Sequence, residues 1–133
     1  VKLLLQRGAE INKQKSDGFT ALMDAATYGH DRVVELLLQR GAEVNLQNSS
    51  GVTALLFAAT NGQERVIELL LLRGAEINVQ QSDGFTALMG AAATGHEGVV
   101  DVLLRRGAEV DLQDSNGGTA LMGAAAEGHL PIV

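Results

Sequence analysis

The chain has no cysteine and no tryptophan. Disulfide frameworks and thiolate chemistry are thereby excluded. Aromatic side chains are scarce, with one Tyr and three Phe in 133 residues, although 46% of the residues are hydrophobic. A core must therefore be built of Leu, Val and Ala, which points to helices packed through small and medium side chains. Basic residues are outnumbered, 10 against 16 acidic, for a formal charge of −6. An acidic surface is repelled by phosphate backbones and anionic lipid, so neither nucleic acid nor a membrane is an expected partner. No apolar run reaches the ~18 residues of a membrane span, and no stretch reads as a signal or transit segment. The expected location is intracellular, cytoplasmic or nuclear.

What the chain does have is a beat. Asp17-Gly18-Phe19-Thr20-Ala21-Leu22-Met23 returns as Ser50-Gly51-Val52-Thr53-Ala54-Leu55-Leu56, then from Asp83 to Met89 and from Asn116 to Met122, with the threonines 33 residues apart. Gly8, Gly41, Gly74 and Gly107 keep the same step, each followed by Ala-Glu and then Ile or Val. Self-similarity at this period means stacked repeats. The units fall at 15–47, 48–80 and 81–113, with the end of a truncated unit at 1–14 and the start of another at 114–133, all in one continuous domain.

Within a unit the local signals alternate between turn and helix. Asp17-Gly18 is expected to supply the positive φ angles of a hairpin-like turn, and Gly8 a left-handed residue after a helix end. Thr20 is a helix N-cap whose hydroxyl can accept from a backbone N–H two or three residues on. Leu22, Ala25 and Ala26 then share one stripe, and the alanines permit close approach of a neighbouring helix. Gly29-His30 breaks that helix. A second is expected from about Asp31 to Arg40, with Val33, Val34, Leu37 and Leu38 inward. Val1 and Val133 share a phase, so the chain reads as an excerpt of a longer array. Leu3, Leu4, Leu121 and Met122 are then expected to be less protected than Leu36, Leu37, Leu88 and Leu103.

The period, Gly-x-Thr-x-Leu, Ala-Ala-x-x-Gly-His and Leu-Leu-x-x-Gly-Ala-x-Val-Asn together resemble the ankyrin repeat, over the whole chain. The resemblance implies an all-α solenoid of stacked helix-turn-helix units joined by hairpin-like turns. It also implies a concave side of turn tips and first helices, through which members mostly bind other proteins. The sequence departs from the family pattern in three places. The Pro after Thr is Ala21, Ala54, Ala87 and Ala120. The following His is Met23, Leu56, Met89 and Met122, expected to pack apolar between units. The Asp that opens the turn survives only as Asp114, against Lys15, Asn48 and Gln81, which puts its bridging of adjacent turns in doubt.

Chemical motifs are weak throughout. His30, His96 and His129 recur behind Gly but become Gln63 in the remaining unit, and Gln is a poor metal ligand or general base, so these are read as structural hydrogen bonders. Gly118 to Gly123 has phosphate-loop spacing, yet Ala124-Ala125 stand where Lys and Ser or Thr are required. Arg7, Arg40, Arg73 and Arg106 lie in last helical turns, where a cation complements the dipole. Asn48-Ser49-Ser50 is a glycosylation sequon in spelling only. No catalytic, cofactor or metal residues are assigned, and no small-molecule substrate is expected.

The variable positions on the first helix are Asp24/Phe57/Gly90/Gly123, Thr27/Thr60/Ala93/Ala126 and Tyr28/Asn61/Thr94/Glu127. A face that varies on a fixed scaffold is either free of constraint or shaped for a ligand. By the resemblance, Phe19, Tyr28, Phe57 and Phe85 all lie on or beside the concave side, where Phe19, Phe57 and Phe85 also have a space-filling reading. The expected function is a non-catalytic protein-interaction module that binds a basic and apolar segment of another protein. Its candidate contacts are Phe19, Asp24, Thr27, Tyr28, Phe57, Asn61, Phe85, Thr94 and Glu127. The alternative is a structural spacer, or a targeting array within a longer protein or enzyme.

Overall fold

The computed structural model describes residues 2–133. Val1, part of the expectation for 1–14, lies outside them. The described residues form eight helices and no strand: α1 (Lys2–Gln6), α2 (Ala21–Thr27), α3 (Asp31–Gln39), α4 (Ala54–Thr60), α5 (Glu64–Leu72), α6 (Ala87–Thr94), α7 (Glu97–Arg105) and α8 (Ala120–Ala126).

The first helix of each unit starts where a threonine in extended backbone caps it. Thr20, Thr53, Thr86 and Thr119 accept from the N–H of Met23, Leu56, Met89 and Met122 at 3.2–3.4 Å. Alanine, the strongest helix former, fills much of the helix beyond each cap. The helix ends at Gly29 and its counterparts. Gly29 has φ +70°, a region costly for a residue with a Cβ, and lets the His30 N–H reach back to the Ala25 carbonyl at 3.0 Å. Arg40, Arg73 and Arg106 are the C-caps of α3, α5 and α7.

Helices α2, α4, α6 and α8 stack in one layer, and α3, α5 and α7 in a second layer behind it. Ala26, Ala59 and Ala92 are buried, so the first helices approach through small side chains, while Leu37, Ile67, Leu70 and Leu103 fill the space between layers. Met23, Leu56 and Met89 are buried apolar side chains, as expected, whereas Met122 is 57% exposed because no described helix covers the far side of α8. Leu3, Leu4 and Leu121 are likewise exposed, Leu37, Leu88 and Leu103 are buried, and Leu36, expected with them, is only half-buried.

The turns close as hairpins, with Lys15 N–H to the Phe19 carbonyl at 2.9 Å and Gly18 N–H to the Lys15 carbonyl at 2.8 Å. Positive φ is found at Gly18 but not at Asp17, a correction to the expectation that both residues supply it. A Cβ at position 18 would lie 2.7 Å from the Asn48 Cα, so glycine also permits the next hairpin to sit close. Adjacent hairpins are bridged by main chain: Ser49, Ser82 and Ser115 N–H donate to the carbonyls of Asp17, Ser50 and Asp83 at 2.8–2.9 Å. The bridging therefore does not depend on an Asp at 15, 48 and 81. Along the unit junctions, Asn12, Asn45 and Asn78 side chains accept from Glu43, Glu76 and Glu109 N–H at 2.9 Å.

Candidate functional site

The hairpins and first helices share one face, and the structure distributes the candidate residues over it in three groups. Phe19, at the end of the first hairpin, stacks on Phe57 of α4 with centroids 4.9 Å apart and planes tilted by 39°. Lys15 lies 5.2 Å over the Phe19 ring, and its ammonium is 3.5 Å from the Asp24 carboxylate. Both ends of that pair are exposed, which limits it to roughly 0–1 kcal/mol.

The second group surrounds a groove of about 530 Å³. Phe57 and Phe85 border it, with Gly90 and Ala93 of α6, Thr27 of α2 and Asn61 and Thr94 at helix ends. Three of the polar side chains here are already partnered within their own helices. Thr27 donates to the Met23 carbonyl at 2.8 Å, Asn61 to the Phe57 carbonyl at 2.8 Å and Thr94 to the Gly90 carbonyl at 2.6 Å. An incoming apolar group therefore leaves no side-chain hydrogen bond unmade at these three positions, and a ligand that stays there is selected by shape and apolar burial.

The third group is apart from the groove. Asp24 and Tyr28 border a separate hollow with His30, Val33 and Leu37. Tyr28 is 71% exposed, its ring 6.3 Å from that of His30. Glu127 is the exposed C-cap of α8. The nine candidates thus do not form one cluster.

Val52, Thr60, Gly90 and Ala93 line the groove and were not among the candidates. Their signal is one of size rather than chemistry: position 52 is Val where 19 and 85 are Phe, and position 90 is Gly where 57 is Phe. Of the recurrent imidazole and amide positions, read as structural hydrogen bonders, Gln63 and His129 hydrogen-bond the preceding unit, whereas His30 and His96 make no side-chain hydrogen bond among the described residues. Gln63 donates to the Thr27 carbonyl at 3.1 Å, and His129 Nε2 lies 3.0 Å from the Ala93 carbonyl. On the second layer, Asp101 accepts a hydrogen bond from Arg105 and raises its pKa. Among the described residues, no group of three or more His, Cys, Asp or Glu could hold a metal ion, and no helix is long and apolar enough to cross a membrane.

These features define a repeat protein: a two-layer helical solenoid whose units contact mainly their neighbours and present one continuous face of hairpins and first helices. The family model for ankyrin repeats, three copies, matches residues 1–81 and 55–133, and the chain belongs to the ankyrin-repeat family. Ankyrin repeats are generally protein–protein interaction modules and typically non-enzymatic. A search of curated proteins finds no match to the chain.

Proposed function

We propose that this chain is a non-catalytic interaction module that binds a segment of a partner protein along the hairpin and first-helix face, which the family resemblance makes the concave side. The observation that carries this reading is the groove lined by the half-buried Phe57 and Phe85 with Val52, Gly90 and Ala93, where Thr27, Asn61 and Thr94 are already hydrogen-bonded within their own helices. Asp17, Asp24, Asp83 and Glu127 are exposed on the hairpins and first helices, against Lys15, which is engaged with Phe19 and Asp24. A basic segment is steered toward such a surface and held by desolvated ring contacts. No cofactor and no small-molecule substrate enters this reading.

A spacer role has one observation in its favour, the hydrogen-bonded serine and asparagine ladders that tie successive units. The two readings separate experimentally. A partner is recovered by affinity capture, and its affinity is compared for Phe57→Ala, Tyr28→Ala and Arg32→Ala, with the melting temperature of each. Truncating an anchor is expected to weaken binding by about 30-fold, the equivalent of ~2 kcal/mol. Arg32, exposed on α3, is expected to change it little. Loss of affinity for Arg32→Ala alone places binding on the second layer; a fall in melting temperature with affinity intact makes the rings inter-unit core and favours the spacer.

A further inference from the structure

Comparing successive units at the 33-residue step shows that one seat on this face is filled in the first interval and empty in the second. In the first, Phe19 from the hairpin lies on Phe57 of the next unit at 4.9 Å, and the Lys15 ammonium sits 5.2 Å from the Phe19 ring. One step on, the same three positions are Val52, Gly90 and Asn48. Both rings and the cation are gone together. What remains is the groove, lined among others by Phe57, Phe85 and Gly90. Gly90 brings no side chain of its own to the lining, and a Cβ there would stand 2.6 Å from the Thr60 hydroxyl. The seat is thus left unfilled by the chain.

We propose that this seat is a socket for one aromatic side chain of the partner segment, carried next to a lysine or arginine. The proposal rests on the interaction-module reading and specifies its anchor. The occupant's chemistry derives from the filled interval, where the chain itself supplies a ring stacked on Phe57 and a cation over that ring. An incoming ring finds two aromatic side chains, Phe57 and Phe85, in the lining of the groove, and aromatic pairs are favoured beyond area burial alone. The exposed carboxylate of Asp83, fixed by the Phe85 N–H at 3.1 Å and by the Gln81 amide at 2.7 Å, belongs to the adjoining hairpin and complements a neighbouring cation.

The test fills the socket from within. Val52→Phe restores the residue found at positions 19 and 85, both of which the fold accommodates, and retention of the wild-type melting temperature verifies that it folds. A random twelve-residue peptide library displayed on phage is selected on the immobilised chain and rescreened on Val52→Phe, Phe57→Ala, Tyr28→Ala and Arg32→Ala. The expected result is enrichment of peptides with an aromatic residue beside Lys or Arg, whose binding falls at least tenfold on Val52→Phe. No enrichment, enrichment of aliphatic or acidic peptides, or binding unchanged by Val52→Phe overturns the socket. If peptides are lost on Phe57→Ala or Tyr28→Ala but kept on Val52→Phe, the face still binds and the socket alone fails. If they are lost only on Arg32→Ala, the interaction-face reading fails with it. Should Val52→Phe melt early, Phe85→Ala, which removes the other ring of the lining, gives the same comparison with loss of aromatic selectivity as the expected outcome.

Discussion

At the residue scale, the hairpins keep their geometry although the residue that opens them changes each time. Where Asn48 or Asp114 opens the turn, its side chain accepts two backbone N–H groups, from Ser50 and Val52 at 2.9 Å or from Asn116 and Gly118 at 2.8–2.9 Å. Where Lys15 or Gln81 stands instead, Asp17 or Asp83 two residues on accepts from Phe19 or Phe85 N–H at 3.1–3.2 Å. The acceptor has moved along the turn without being lost. The threonine caps were legible because their hydroxyl acts within the next turn of helix. This exchange was not, because each position viewed alone looks like the loss of an Asp or plain turn preference. Asn48→Ala removes the acceptor for two N–H groups and is expected to cost ~1–2 kcal/mol, more than the ~0.5–1 kcal/mol of Asp17→Ala, which removes one. Urea midpoints of the two variants provide the check, and equal losses contradict the exchange.

At the scale of elements, both layers contribute large core side chains, Met23 and Leu55 from first helices and Ile67 and Leu70 from a second helix, while the alanines of the first helices permit close approach. Ile67 of α5 is fully buried, whereas Leu72 at the end of the same helix is 73% exposed. Truncation to Ala is therefore expected to cost ~2–5 kcal/mol at position 67 and within about 0.5 kcal/mol at position 72. Chemical denaturation with an unchanged slope tests the difference, and comparable losses contradict the burial of one face of α5. The helices and their buried stripes were readable from period and caps. The Phe19–Phe57 stack was not, since it joins two different columns of the repeat across 38 residues. Aligning units reveals which positions vary, but packing geometry decides which varying positions meet. For the same reason Phe57 and Phe85 could be suspected from sequence, while the groove they border required Val52 and Gly90, whose contribution is the volume they leave unfilled.

At the scale of the whole molecule, the solenoid offers two long surfaces of different character. One carries the hairpins, the first helices, the rings and the groove; the other carries the second helices, with exposed ion pairs such as Arg65–Glu68 at 3.4 Å, a type of contact that contributes little to stability. Stacking would let the proposed binding sit on the first surface, because each unit contacts mainly its neighbours and the fully buried side chains hold the fold, with Phe19, Val52, Phe57 and Phe85 packed against that core only in part. On the proposed function, binding falls chiefly to the hairpin and first-helix face and core formation to the fully buried side chains. Amide chemical-shift mapping of the isotope-labelled chain, titrated with the recovered partner segment, tests that division most directly. The expected perturbations cluster at Phe57, Thr60, Phe85, Gly90 and Thr94; perturbations concentrated at Arg32, Glu35, Arg65 and Glu68 of the second layer would contradict it.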